Sequence, residues 1–373
     1  MKRLWTSGWM LIALGALVVT SGCRSTRSGR RDTPAPRAVE ERDVDITFSL
    51  DSAVGEAGDD VTLHGTWKGV PGNAEPLLLF VPGAGRVSRR GVRKKNGSRA
   101  YDGPVPVVEQ FASHAAYTGF QTLAYDKRTC GPVESPLCAR NPSPDWDAQG
   151  PVALTRDVDA ACATARKLAP GVPLVVVAHG QSANVVLASS CAKTADALLL
   201  IAPIPGAVDE VLVRGLQRRS KLLRKWGEEK LRSSDPDVAA EGEQQVQESV
   251  QLQNRAANFA GTFKQIKDGA FDDDAQVLGA TPVFWRGYFA FTEQVFEHAQ
   301  AANDTPRVVV LGQWDSQYAP ADKNRIAQLA EGHRFVVVDK ADHHLLVDKQ
   351  LSDEVFDEVL QVLTETLQNR PSS

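Results

Sequence analysis

The chain has 373 residues, enough for one large domain or two small ones. Apolar residues make up 42% and charged residues 24%, with a net charge of −4, which excludes wholesale disorder and argues against a general nucleic-acid binder. A single apolar stretch approaches membrane length, at the extreme N-terminus, so a polytopic membrane protein is excluded as well.

Lys2 and Arg3 open a short charged region, and an apolar run follows from Trp9 to Val19. At about eleven residues it is too short to span a bilayer as a helix. It ends in Thr20-Ser21-Gly22-Cys23. Small residues followed at once by Cys resemble a bacterial lipobox, with Thr20 where Leu is usual. The resemblance implies a signal peptide over residues 1–22 and acyl chains on Cys23. The protein would then be lipid-anchored in the bacterial cell envelope, facing the periplasm or the cell surface. Each buried CH₂ of an acyl chain contributes roughly 0.8 kcal/mol, so several chains anchor firmly. An ordinary secretory signal with an incidental Cys is the alternative. Residues 23–44 are rich in Arg, Pro, Ser and Thr and lack an apolar period, as in a tether.

Val44–Leu50 and Val61–Trp67 alternate apolar and polar residues, which predicts two antiparallel strands. Leu77–Val81 is a continuous apolar run, as in a strand buried on both faces. A loop rich in Gly and Arg follows. The pattern then predicts a helix over Val107–Tyr117, a strand over Phe120–Tyr125, a helix over Val152–Leu168 and a strand over Leu174–Ala178. Next come a helix over Ser182–Ala192 and a strand over Ala197–Ile201. The last four elements are a strand at Val308–Leu311, a helix at Ala321–Leu329, a strand at Phe335–Val338 and a helix at Asp353–Gln368. Alternating β and α elements imply a mostly parallel central sheet with helices on both faces. Between 205 and 300 the alternation breaks, and two polar helical stretches appear near Val208–Leu231 and Ala239–Lys267. An insertion there is either a functional cap or a solvated decoration.

This order resembles the α/β-hydrolase fold. The core would comprise 45–204 and 301–373, with 205–300 as an inserted helical cap. Leu77 through Gly85 resembles the strand and turn that supply half the family's oxyanion hole, with Pro82 where His is usual. Tyr125-Asp126-Lys127-Arg128-Thr129-Cys130-Gly131 resembles the Tyr-Asp-x-Arg-Gly-x-Gly turn. Leu311 to Asp315 resembles the turn carrying the triad acid, and Ala341-Asp342-His343-His344 the turn carrying the triad His. The resemblance implies Asp315 as the acid, His343 as the base with His344 as runner-up, and oxyanion donors at the backbone N–H groups of Ala84 and Gln181.

The family's nucleophile sits on a sharp strand-to-helix turn, G-x-S-x-G. Here the strand runs into Ala178-His179-Gly180-Gln181-Ser182-Ala183-Asn184. Aligned on the His, Gly180 takes the Ser position and has no side chain with which to attack a carbonyl. Read two residues later, Ser182 is the nucleophile. That slip keeps strand parity, but the first register fits the strand length and the His better. Two functions compete. One is a catalytically degenerate hydrolase that binds a ligand or an envelope partner. The other is an active ester, thioester or amide hydrolase using Ser182, His343 and Asp315. A structural lipoprotein whose cap helices dock a partner is a weaker third.

Two further features stand out. Arg86, Arg89, Arg90, Arg93, Lys94, Lys95 and Arg99 form a basic loop with no acid among residues 86–99. Such a loop can bind an anionic small molecule or envelope polymer, or simply be solvated. Four cysteines remain after Cys23, an even number that in an exported chain suggests two disulfides. The expected pairs are 130–138 and 162–191, with free buried thiols as the alternative. No spacing resembles a zinc site, and no metal or cofactor is expected.

Overall fold

The computed structural model describes residues 38–49, 60–83, 89, 107–128, 144–278, 280–347 and 352–369. The expected signal peptide, Cys23 and tether, Ala84, the pair Cys130 and Cys138, and the basic loop apart from Arg89 lie outside them. No helix among the described residues is long and apolar enough to cross a membrane.

Eight strands form one sheet: β1 (Glu40–Ser49), β2 (Asp60–Gly69), β3 (Leu77–Val81), β4 (Gln121–Tyr125), β5 (Leu174–His179), β6 (Ala197–Ile201), β7 (Arg307–Gly312) and β8 (Arg334–Val338). Their spatial order is β1-β2-β4-β3-β5-β6-β7-β8. β2 alone runs against the rest, paired antiparallel with β1 and β4. Every residue of β3, β4, β6 and β7 is buried. The unbroken apolar runs of β3 and β6 follow from this, since a parallel strand covered on both faces has no polar side, while β4 and β7 also bury Gln121, Thr122 and Arg307.

On one face lie α1 (Val107–Tyr117) and α10 (Asp353–Gln368), joined by the stacked rings of Phe111 and Phe356 at 4.6 Å. The other face carries α2 (Pro144–Leu168) and α3 (Gln181–Ala188). α2 begins earlier than the apolar period suggests and is broken at Gly150, where φ is 50°, just before Pro151. The expected single helix from Ser182 to Ala192 is two pieces, α3 and the short α4 (Cys191–Thr194). Ser189 causes the break. Its backbone is extended, and its hydroxyl donates to the Val186 carbonyl while accepting from the Ala192 N–H. A Ser side chain thus replaces the helical backbone bonds it interrupts. Cys162 on α2 and Cys191 on α4 form a disulfide, tying the two helices together.

The segment between β6 and β7 holds four helices: α5 (Val208–Lys230), α6 (Pro236–Lys267), α7 (Pro282–Glu293) and α8 (Val295–Ala301). α5 and α6 form an antiparallel hairpin. Asp235 caps α6 by accepting from the N–H groups of Asp237 and Val238, with Pro236 at the first helical position. α7 and α8 were not evident from apolar spacing, and they belong to the body. Phe284, Tyr288, Phe289 and Val295 sit in the main core, and α8 packs on α3. α9 (Pro320–Gln328) completes the chain of helices between β7 and β8.

Candidate active site

The bend between β5 and α3 falls at Gly180. β5 keeps register with β6 up to His179 opposite Ile201, and the Gly180 N–H still donates to the Ile201 carbonyl at 2.9 Å. There the backbone turns sharply, with φ 60° and ψ −119°. An L side chain in that conformation is strained, whereas glycine adopts it without steric cost. A Cβ placed on Gly180 would have the His343 Nε2 as its nearest neighbour, 4.0 Å away. The bend therefore aims position 180 at an imidazole.

Two loops must meet to hold that imidazole. Gly312 ends β7 where a Cβ would lie 2.1 Å from the Asp342 carbonyl oxygen and 2.4 Å from that of Ala341. Only glycine permits this approach. It is locked by the Gln313 N–H donating to Val338 and the Trp314 N–H donating to Ala341, at 2.9 and 2.8 Å. The Asp342 carboxylate accepts from the N–H groups of His344 and Leu346, folding the second loop around its own aspartate. As a result, His343 Nδ1 stands 2.8 Å from Asp315 Oδ2. Asp315 is fully buried, and its Oδ1 accepts from the Gln317 N–H. With Nδ1 bound to the carboxylate, a neutral His343 ring turns its Nε2 lone pair toward position 180. That Nε2 has no hydrogen-bond partner among the described residues.

His343 is held from two further sides. His179 Nε2 donates to the His343 carbonyl at 2.9 Å. The Tyr318 ring lies 5.4 Å from the imidazole, its hydroxyl donating to the Ala202 carbonyl. Burial, and secondarily the Asp315 charge, push the Tyr318 phenol well above its ordinary range, so it stays a neutral donor. The His344 ring packs against those of His179 and His343 at 5.2 Å, but Asp315 engages His343.

Ser182 lies elsewhere. It is the second residue of α3, it is buried, and its hydroxyl is spent on the backbone of His179. Oγ accepts from the His179 N–H at 2.9 Å and donates to the His179 carbonyl at 3.0 Å. It lines a cavity of about 10 Å³ behind the bend with Pro82, Tyr125 and Lys127, room for about one water. Gln181 is the first residue of α3, where the backbone N–H has no partner within the helix.

Sequence reading missed the part played by the turn after β4. Lys127 is buried, and its ammonium donates to the Gly83 carbonyl at 2.9 Å. Arg128 grips the buried Asp157 with both Nε and Nη2. Arg89, the described member of the basic loop, has internal partners: its backbone N–H and guanidinium donate to Asp126, and Nη2 reaches Asp43. A signal was available, because charged residues placed directly after a fully buried strand need internal partners. No group of three or more His, Cys, Asp or Glu among the described residues could hold a metal ion.

A profile of the Alpha/beta hydrolase family matches residues 78–358. The chain belongs to that family. No curated protein matches the sequence. Among solved structures, the α/β hydrolase GrgF from Penicillium sp. sh18 is similar over 88% of this chain and 99% of its own, at 14% identity and a TM-score of 0.52. A thermostable carboxyl esterase from Bacillus coagulans, bound to glycerol, covers 88% of this chain and 99% of its own, at 16% identity and TM-score 0.49. The peroxisomal α/β-hydrolase Lpx1 of Saccharomyces cerevisiae covers 90% and 91%, at 14% and 0.46.

Proposed function

We propose that this chain is an α/β hydrolase that has lost the covalent route and binds a ligand or partner through the retained pocket. It does so anchored to the bacterial envelope through an acylated Cys23. One observation carries the reading: Gly180 occupies the strained bend, and a Cβ there would lie 4.0 Å from His343 Nε2. The bend, the imidazole and the buried carboxylate have the family's arrangement, and the attacking oxygen has no side chain to sit on. Removing the nucleophile from a serine hydrolase costs on the order of 10⁶ in kcat. Ser182 does not substitute for it, because its hydroxyl serves the His179 backbone.

The His343–Asp315 pair supports a second reading. The Asp315 bond leaves Nε2 directed at position 180, so His343 could take a proton from a water that attacks a bound ester directly. That route forms no acyl-enzyme.

A serine-reactive phosphonate and a short-chain ester separate these readings. The wild type is expected to carry no phosphonate adduct. Gly180→Ser is expected to acquire one at residue 180, since a hydroxyl on that Cβ falls within bonding reach of Nε2. Ester turnover that is lost in His343→Ala and kept in Ser182→Ala supports direct water attack. An adduct on Ser182 in the wild type overturns both. For the anchor, Cys23→Ala is expected to leave the membrane fraction, and retention there rejects acylation.

A further inference from the structure

The sheet ends in two edge strands, β1 and β8. An edge strand presents unpaired N–H and C=O groups, and charge along it discourages pairing with another chain. β1 is protected in this way, with Glu40, Glu41, Arg42, Asp43 and Asp45 among its ten residues. β8 is not. Its residues are Arg334, Phe335, Val336, Val337 and Val338, and it is as long as β3, β4 and β6.

Two contacts fix where each group of β8 points. Arg334 reaches Glu365 on α10, so Arg334, Val336 and Val338 face that helix, and Phe335 and Val337 lie on the opposite face. The Val338 carbonyl accepts from the Gln313 N–H, on the β7 side. Backbone groups alternate in direction along a strand, so those of Phe335 and Val337 point away from β7, to the open edge. They have no hydrogen-bond partner among the described residues. The side chains of the same two residues are 39% and 49% exposed. Open backbone and bare apolar side chains therefore coincide along one edge.

That edge is complementary to itself. A second copy, turned about a two-fold axis perpendicular to the sheet, lays its β8 antiparallel to the first. Centred on Val336, the register sets Phe335 opposite Val337 on both sides of the axis. Both residues of each pair then aim their N–H and C=O groups at one another, as a hydrogen-bonded pair requires. Aromatic and β-branched side chains directly opposite are a favourable cross-strand pair. Arg334 falls opposite Val338, so no like charges meet. Centred on Val337 instead, the register sets Phe335 against Asp339 and opposes two cations, Arg334 and Lys340.

We infer that β8 pairs with β8 of a second copy, centred on Val336, to make a two-fold dimer with one continuous sheet. Two short strands are a small contact beside the roughly 1,200 Å² of a standard interface, so the dimer is weak and depends on protein concentration. The pairing stands whether or not His343 has a chemical role.

The test is sedimentation velocity of the purified full-length protein in detergent solution over a range of concentrations. A monomer–dimer equilibrium is expected. Val337→Lys puts a charge on the edge and is expected to weaken the dimer by about tenfold or more. Its melting midpoint is expected to match wild type, because position 337 is half exposed. Thr47→Lys, on the β1 edge, is expected to leave the dimer unchanged. Oxidative cross-linking locates the axis. Opposed residues in a non-hydrogen-bonded pair have Cα atoms about 4.5 Å apart, within disulfide range. Val336→Cys is therefore expected to link to its counterpart beyond any linkage in wild type, and Val337→Cys is not. A monomer at every concentration overturns the inference, as does a dimer that Val337→Lys leaves intact. Linkage through Val337→Cys at least as strong as through Val336→Cys also overturns it, because the two chains then meet elsewhere.

Discussion

The central sheet and the α5–α6 hairpin are built on opposite plans. In the sheet, long apolar runs are buried on both faces, and branched side chains fill the space between layers. In the hairpin, 23- and 32-residue helices bury few large side chains, and these lie near its base: Val208, Val211, Phe263 and Ile266. Further out the helices meet through small residues. Gly227 and Gly242 touch backbone to backbone, and Ser220 donates to the Ser249 carbonyl. Ion pairs Arg219–Glu248 and Lys230–Glu241 cross the exposed rim, and such pairs contribute about 0–1 kcal/mol each. The sheet is therefore specified by bulk, and the hairpin by the absence of bulk at a few positions.

Substitutions at glycines test that contrast from both sides. The largest effect is expected at the sheet end. Gly312→Ala sets a Cβ 2.1 Å from a carbonyl oxygen and must push the two site loops apart. We expect a loss of about 3 kcal/mol or more in denaturant unfolding, with the His343–Asp315 bond broken. An unchanged midpoint would mean the loops are not held by that contact. Gly227→Ala comes next. Its Cβ would meet the Gly242 oxygen at 2.7 Å, at an expected cost of about 1–3 kcal/mol. That cost should fall on the hairpin, seen as faster protease cleavage within 220–250 while the body stays resistant. Uniform sensitivity would show hairpin and sheet unfolding as one unit.

The smallest effect is electrostatic and lies at the far edge of the sheet. Burial, aided by the Arg307 charge, lowers the His333 pKa from 6.5 to about 4. The unfolded chain then binds the proton more readily between those values. Stability contributed by neutral His333 is present above pH 6.5 and is lost as pH falls toward 4. His333→Gln is expected to flatten the thermal midpoint across that window, and an identical pH profile would remove His333 as a cause.

These differences also explain what the sequence made legible. Leu77–Val81 and Ala197–Ile201 were found to the residue, because a strand buried on both faces leaves an unbroken apolar run. The Cys162–Cys191 bridge was expected and is present. The break at Ser189 depends on a side chain bonding its own backbone, which apolar spacing does not register. α7 and α8 were hidden because their packing on α2 and α3 is a tertiary fact. At the site, Gly180, Asp315 and His343 could be placed from turns in chain order. The internal ties of Ser182, Lys127 and Arg89 could not, since each depends on a backbone oxygen or acid far away in sequence or on a local turn.

The bond from His179 Nε2 to the His343 carbonyl joins the end of β5 to the loop beyond β8, with β6 and β7 lying between those strands. It fastens the crest of the β5–β8 half of the sheet. Amide hydrogens in the 342–346 loop cannot exchange by that loop swinging out alone, because the swing must first break the tie to the bend. The two ends open together, as one cooperative unit of local unfolding.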